Sequence, residues 1–205
     1  MNLKKNPELI PLIEWWEKDG KSTVIWLLVA AIAIGGWYGY KGHKVALKTA
    51  ASEAVVNSYT TEELEEANAK FSGRDVEGAL KIRLAKSYYD AGRFEEALAL
   101  YEGLAATKVE GFDDIAVVGR AQTLEALGKF EEAAKAFDAF AEANTKNYLT
   151  LTAQLGAARS IAQLGDKTKA LARIDALKAA NKEDELATAR IEAVEGVIKR
   201  LEIKK

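Results

Sequence analysis

Residues 92–101 read GRFEEALALY, and residues 128–137 repeat the pattern as GKFEEAAKAF. The two copies begin thirty-six residues apart, and a more divergent third copy starts at Gly165. Self-similarity at a period of a few tens of residues is typical of stacked repeats, in which each unit buries its apolar face against its neighbours. The motif therefore predicts a stack of similar helical units.

The three copies share one plan. Each has a helix with a small residue in its middle, then a glycine, then a second helix that carries alanine and a large apolar residue. We expect the glycine to end the first helix, because a left-handed backbone is cheap only for glycine. The glycines are Gly92, Gly128 and Gly165; the small residues are Ala85, Ala121 and Ala158; the facing apolar pairs are Tyr88 with Tyr101, Leu124 with Phe137, and Ile161 with Ile174.

The stretch LAKSYYDAGRFEEALALYEGL, residues 84–104, resembles the tetratricopeptide repeat family at nearly every signature position. An all-α fold also suits the composition, which has only two prolines and is rich in Ala, Leu, Glu and Lys. The family's closing proline is missing, and Val109, Thr145 and Lys182 stand in its place. We therefore expect linkers between hairpins that are longer or less sharply turned than is usual in the family.

Nineteen residues between Lys21 and Lys41, STVIWLLVAAIAIGGWYGY, carry no charge. A helix of this length spans roughly 28 Å, close to the hydrocarbon thickness of a bilayer. Trp26 lies near one end and Trp37 near the other, as expected for rings at a membrane–water boundary. The run predicts an uncleaved transmembrane helix over residues 22–40.

Two alternatives to an anchor stay open from the sequence. The run could be a buried core helix, although a small soluble core seldom contains a helix that is uncharged all round. It could also be a cleaved signal peptide, since residues 31–33, Ala-Ile-Ala, mimic a cut site. Against this, apolar sequence continues past that point as far as Tyr40. The arm before the run could lie in the membrane interface or dock on a partner.

Further helices are expected on both sides of the repeats. Thr61 and the acidic residues after it are a good helix start, with a break at Gly73. A helix that continues out of the membrane as a stalk would have its weak point at Gly42. The expected parts are an arm at 1–21, the transmembrane helix at 22–40, a stalk and first helical pair at 41–77, three repeats at 78–182, and a C-terminal capping helix at 183–205. In the capping helix one stripe is expected to be buried: Leu186, Ala189, Ala193, Val194, Val197, Ile198 and Leu201.

The sequence offers little chemistry. Cysteine is absent, and the single histidine, His43, has no partner at metal-ligand spacing. A net charge of −2 gives no support for nucleic-acid binding, which needs a concentrated basic face. We therefore expect no enzyme activity, cofactor, metal, small-molecule substrate or nucleic acid. Pairs of glutamates, such as Glu95 with Glu96, suit the positive end of a helix dipole better than catalysis.

Two sets of residues are candidate contact sites. Small residues at i, i+4 and i+8 of the apolar run would let another transmembrane helix approach closely. The tetratricopeptide resemblance implies a partner-binding groove at exposed positions on the first helix of each repeat, although these residues could equally do no more than cover the stack. The membrane set is Ala31, Gly35 and Gly39; the groove set is Ile82, Lys86, Tyr89, Val118, Gln122, Glu125, Leu155 and Arg159.

The layout of arm, membrane helix and small repeat domain also resembles the bacterial ancillary subunit family of the SecYEG translocon. The local likeness lies in WWEKDGK at residues 15–21 and in GGWYGYKGHKVALKTAASEA at residues 35–54. This resemblance implies a single-pass protein of the bacterial inner membrane, with a cytoplasmic N-terminus and a periplasmic repeat domain. It also implies the partners: SecYEG, a membrane-anchored periplasmic chaperone, and unfolded polypeptides in transit. A scaffold of another envelope complex is the alternative.

The charges that flank the run do not decide the orientation. Four lysines precede it and three follow it, and a difference of one gives no useful bias under the positive-inside rule. The orientation therefore depends on the family resemblance. The lysines before the run are Lys4, Lys5, Lys18 and Lys21, and those after it are Lys41, Lys44 and Lys48.

Overall fold

A computed structural model describes residues 10–107 and 111–201 of the chain, and all regular structure within them is helical. The predicted all-α class is therefore confirmed. The chain divides into two compact units, Met1–Glu53 and Ala54–Lys205. Asn6 can cap a helix that has Pro7 at its first position, so these two residues are the expected start of a helix in the arm. They lie outside the described residues, as does Val109, which stands where the family's first closing proline would be.

The first unit contains helix α1, Ile10–Trp15, one π-helical turn, Trp16–Gly20, and most of helix α2, Lys21–Asn57. A Cβ atom at Gly20 would lie 2.9 Å from the ring of Trp16 and 3.1 Å from that of Trp15. Only glycine fits beneath these two rings. Helix α2 is continuous through Gly42, so the weak point expected there does not interrupt it.

The helical run Ile10–Asn57 is long and apolar enough to cross a membrane. Its most apolar eighteen-residue window has a mean hydropathy of 1.6, and none of that window is buried. Trp26 is 70% exposed and Ile32 is 73% exposed. The buried core helix considered above is therefore not what the structure contains, because a core helix hides its apolar side chains.

The second unit begins with a well-capped helix. The Thr60 side chain accepts a hydrogen bond from the Glu63 backbone N–H, and the Glu63 carboxylate accepts one from the Thr60 N–H. This reciprocal capping box satisfies donors that the first turn would otherwise leave free. The helix cap is thus Thr60, one residue before the expected Thr61. Gly73, at φ 73°, follows the end of the helix as predicted.

Three helical hairpins and a final helix follow. Gly92, Gly128 and Gly165 lie between the two helices of each hairpin with φ of 76°, 75° and 97°, which confirms their predicted left-handed role. Successive helices pack on one another, and α10 packs on both α8 and α9. The bounds are α3 Thr61–Lys70, α4 Glu77–Asp90, α5 Phe94–Thr107, α6 Asp113–Ala126, α7 Phe130–Ala143, α8 Thr150–Gln163, α9 Lys167–Ala180 and α10 Glu185–Arg200.

Each of the first two repeats inserts an aromatic ring into the next repeat. A Cβ atom at Gly119 would lie 2.6 Å from the ring of Tyr101, and one at Gly156 would lie 2.5 Å from the ring of Phe137. Both glycines sit inside a first helix, so they are sockets rather than turns. They set the register of the stack, because no other residue leaves room for the ring.

The capping helix α10 buries only part of the expected stripe, namely Val194, Ile198 and Leu201. Ile191 and Ile198 are fully buried in one cluster with Ile174 of the third repeat, and Val194 and Leu201 pack against it. Leu186 is 74% exposed, so this part of the prediction was wrong. Val197, Ala189 and Ala193 are also exposed. The sequence contains two apolar stripes on this helix, and only packing on α8 and α9 selects between them.

Candidate partner-binding groove

The first helices of successive repeats are neighbours. Helix α4 contacts α6, α6 contacts α8, and α8 contacts α10. The side chains on the outer side of α4, α6 and α8 therefore form one continuous surface, which we call the first-helix face. In solenoid repeats, surfaces of this kind are extended and commonly bind other polypeptides.

Two of the eight predicted groove residues are not on the first-helix face. Val118 and Leu155 are only 3% exposed and belong to the apolar core. Val118 belongs to the cluster around Phe137, and Leu155 belongs to the cluster around Ile174, so both side chains fill space inside the stack. Ile82, at the matching position on α4, is only partly buried and packs against the cluster around Tyr101.

Glu125 and Arg159 join α6 to α8 across the first-helix face. The Arg159 Nε and Nη2 atoms donate hydrogen bonds of 2.9 and 2.6 Å to the two carboxylate oxygens of Glu125. The Glu125 side chain is 15% exposed and that of Arg159 is 31% exposed. This two-point geometry fixes the guanidinium and occupies its strongest hydrogen-bonding edge.

The positive charge of Arg159 is stabilised by Glu125. Burial opposes the charge, but the hydrogen bonds and the negative charge of Glu125 outweigh burial and raise the pKa of Arg159 above its usual range. Two predicted groove residues, Glu125 and Arg159, therefore contact each other on the first-helix face.

The remaining groove residues make this surface both polar and apolar. Lys86 is exposed and pairs with Asp90 one turn later. Tyr89 is partly buried, and its ring meets Phe94 edge-on at a centroid distance of 5.4 Å. Gln122, on α6, is partly exposed. A surface of amide, phenol and paired charges can hydrogen-bond a peptide backbone and cover apolar side chains.

The central and third repeats are similar to a known family. Residues 118–185 match the tetratricopeptide repeat family. No curated protein and no solved structure gives a significant match to the chain. The tetratricopeptide repeat is a protein-interaction fold, so the stack is a protein–protein interaction module.

Sequence reasoning missed the ion pairs that connect neighbouring tetratricopeptide hairpins. Arg173 on α9 donates hydrogen bonds of 2.6 and 3.0 Å to Asp138 on α7. The Lys178 side chain binds Glu195 on α10 at 2.6 Å. The Asp138–Arg173 pair, like Glu125–Arg159, joins residues about one repeat period apart. Residues of opposite charge about one repeat period apart in the sequence could have predicted these ion pairs.

The predicted membrane contact set faces outward from α2. Ala31, Gly35 and Gly39 are exposed, and no atom lies within 4 Å of a Cβ placed on either glycine. The backbone is therefore open to close approach along this line. Within the described residues, no group of three or more His, Cys, Asp or Glu side chains could hold a metal ion.

Proposed function

We propose that the chain is a membrane-anchored interaction protein that assists the Sec translocon and passes translocated polypeptides to periplasmic chaperones. The tetratricopeptide match at residues 118–185 carries this proposal, because the fold binds polypeptides and has no catalytic machinery of its own. We accordingly assign it no enzyme activity, cofactor or small-molecule substrate. The translocon itself is inferred from the arm, membrane helix and repeat layout.

The proposed location is the bacterial inner membrane, with the N-terminus cytoplasmic and the repeats periplasmic. The exposed apolar surface of α2 supports an anchor, since a contiguous patch of that size needs lipid or protein around it. Protease added to spheroplasts should then digest residues 45–205 and leave the anchor. Full protection of the repeats would refute the periplasmic placement, and loss of the chain to the supernatant would refute the anchor.

The proposed contact surface is the exposed part of the first-helix face: Ile82, Lys86, Tyr89, Gln122, Glu125 and Arg159. Its ligand is an extended, largely uncharged segment of an unfolded polypeptide. A free C-terminal carboxylate is a poor fit, because the Nε and Nη2 atoms of Arg159 already bind the carboxylate of Glu125. A new carboxylate would have to displace that partner.

Photo-crosslinking in living cells tests the surface directly. A crosslinking residue in place of Tyr89 should capture polypeptides in transit and the periplasmic chaperone. The matched control is Lys135, which lies on the second helix α7 and has a side chain that is 75% exposed. Equal capture from both positions would mean that the first-helix face is not the binding surface.

Purification in mild detergent tests the assembly. Translocon subunits should be recovered with the full-length chain and lost when Tyr89 and Gln122 are both changed to charged residues. Recovery of the chain with a different set of envelope proteins and no translocon subunits would reject the Sec assignment. The chain would then be a scaffold of another envelope complex.

A further inference from the structure

The end of the apolar run carries an unpaired set of lysines. Lys41, Lys44 and Lys48 follow the nineteen uncharged residues, and no Asp or Glu occurs anywhere between Lys21 and Glu53. All three lysines are exposed on the continuous helix α2. At the other end of the run the charges are mixed, because Lys18 and Lys21 are interleaved with Glu14, Glu17 and Asp19.

The three lysines lie on one side of the helix. Trp37, Lys41, Lys44 and Lys48 are separated by four, three and four residues, the spacing that keeps side chains on one helical face. Ala31, Gly35 and Gly39 fall on the opposite side by the same periodicity. A helix that packs through its small residues would therefore still present the lysines outward.

Aromatic rings hold two of these cations at a defined depth. The Lys41 Nζ atom lies 5.2 Å from the centre of the Trp37 ring, and the Lys44 Nζ atom lies 5.6 Å from the centre of the Tyr40 ring. Both distances are within the range of cation–π attraction. Trp and Tyr rings settle at headgroup level, so their cations are placed level with lipid phosphates.

We propose that Lys41, Lys44 and Lys48 form a docking surface for anionic phospholipid headgroups, which recruits such lipids to this end of the membrane helix alone. The inference rests on the membrane anchoring proposed above. From Lys41 to Lys48 the helix rises about 10 Å, so the stripe crosses the headgroup layer and ends within one screening length of it. Charge complementarity selects a phosphate without a compensating ammonium group, as in phosphatidylglycerol, over zwitterionic lipid.

The test uses the full-length chain in vesicles that contain phosphatidylcholine and phosphatidylglycerol. Spin-labelled versions of each lipid report which one associates with the protein. The wild-type chain should favour phosphatidylglycerol at low salt, and the preference should weaken at high salt. Replacing all three residues, Lys41→Gln, Lys44→Gln and Lys48→Gln, should abolish it, at up to about fivefold in association per lysine.

A charge-matched control separates a local surface from overall charge. Lys129→Gln, Lys146→Gln and Lys182→Gln change three exposed lysines of the repeats and should leave the lipid preference unchanged. If both triple variants behave alike, or if the Lys41 set keeps the wild-type preference, the inference is wrong. Inorganic phosphate should compete no better than chloride of equal ionic strength; stronger competition would identify a free-phosphate site instead.

An alkaline wash of the vesicles tests the membrane anchor separately from the lipid preference. A chain that washes off the vesicles refutes the anchor, and the lipid inference falls with it. A chain that stays in the bilayer but shows no headgroup preference refutes the lipid inference alone.

Discussion

Helix α2 and the repeat stack place their apolar residues in opposite ways. Along α2 the large side chains face outward, with Trp26 70% exposed and Ile32 73% exposed. In the stack, Phe137 and Ile174 are fully buried between helices. Both regions are helical, so helix propensity does not distinguish them. The apolar side chains of α2 can therefore be covered only by what surrounds the helix, such as lipid or another protein. Those of each repeat are covered by the neighbouring repeats.

The largest effect is expected when one buried and one exposed aromatic side chain are truncated and compared. Phe137→Ala should destabilise the stack by about 3–5 kcal/mol, because it leaves a cavity beside Gly156 and removes the contact between the second and third repeats. Trp37→Ala, on α2, should leave the stability of the stack unchanged. Urea unfolding of the full-length chain in detergent, followed by circular dichroism, measures both. If both substitutions lowered the stability of the stack equally, the proposed difference between the two regions would be wrong.

The second test adds a methyl group instead of removing a ring. Gly156→Ala should destabilise the stack by about 1–3 kcal/mol, because its Cβ atom would overlap the Phe137 ring. Gly103→Ala is the matched control: it is also a helical glycine, but it is exposed and no atom lies within 4 Å of its Cβ position. It should stabilise its helix by about 0.5–1 kcal/mol.

Opposite signs for these two glycines in the same unfolding experiment would establish that Gly156 is a socket. Destabilisation by both substitutions would instead indicate that helical glycines are kept for some shared reason, such as backbone flexibility. The combined variant Gly156→Ala with Phe137→Leu should recover part of the loss, because the smaller side chain makes room for the methyl group.

Local rules were enough to predict the hairpins. Gly92, Gly128 and Gly165 were identified as left-handed helix ends because φ is a property of the single residue, and their φ values agree. The uncharged run was predicted to be a transmembrane helix, and the structure shows an apolar helix whose large side chains are exposed. These features depend on residues that are close in sequence, so the sequence contains all the information that is needed.

Features that depend on how helices meet were harder to predict. Val118 and Leu155 were assigned to the groove by the family resemblance, yet both are buried in the core of the stack. Leu186 was assigned to the buried side of α10, although packing selects the stripe of Ile191. The sockets at Gly119 and Gly156 were missed because they require knowing which aromatic side chain arrives from the previous repeat.

The third test concerns charges that tie helices together. Glu125 and Arg159 join two repeats in a partly buried position, whereas Glu131 and Lys135 pair on the surface of a single helix. Double-mutant cycles to alanine should give a coupling of about 1–3 kcal/mol for the first pair and a much smaller coupling for the second, whose side chains are largely exposed. Adding salt should reduce the second coupling more than the first.

Equal couplings for the two pairs would contradict the view that contacts between repeats matter more than contacts within a helix. Arg159→Lys is a useful intermediate variant, because lysine keeps the charge but cannot make the two parallel hydrogen bonds. It should retain only part of the coupling with Glu125.

The smallest expected effect is the response to mild acid. Hydrogen bonds from the Tyr59 and Thr60 backbone N–H groups lower the pKa of Glu63, and hydrogen bonds from Lys178 and Lys199 lower the pKa of Glu195. A carboxyl whose pKa is lowered by folding stabilises the fold above its unfolded pKa, and that contribution is lost as pH falls through the folded value. The stack should therefore lose stability below its carboxylates' usual pKa of 4.5, whereas α2 has no acidic residue between Lys21 and Glu53.

The chain contains its own reporters for this last comparison. All four tryptophans lie in the first unit, at positions 15, 16, 26 and 37, so their fluorescence reports on α1 and α2 and not on the stack. The midpoint temperature of thermal unfolding, measured by circular dichroism, should be lower in acid. The tryptophan emission in detergent should stay constant. Glu63→Gln, which keeps the cap acceptor but cannot titrate, should weaken the shift. If the emission changed together with the dichroism, α2 would depend on the stack for its structure, and the contrast between the two regions would be lost.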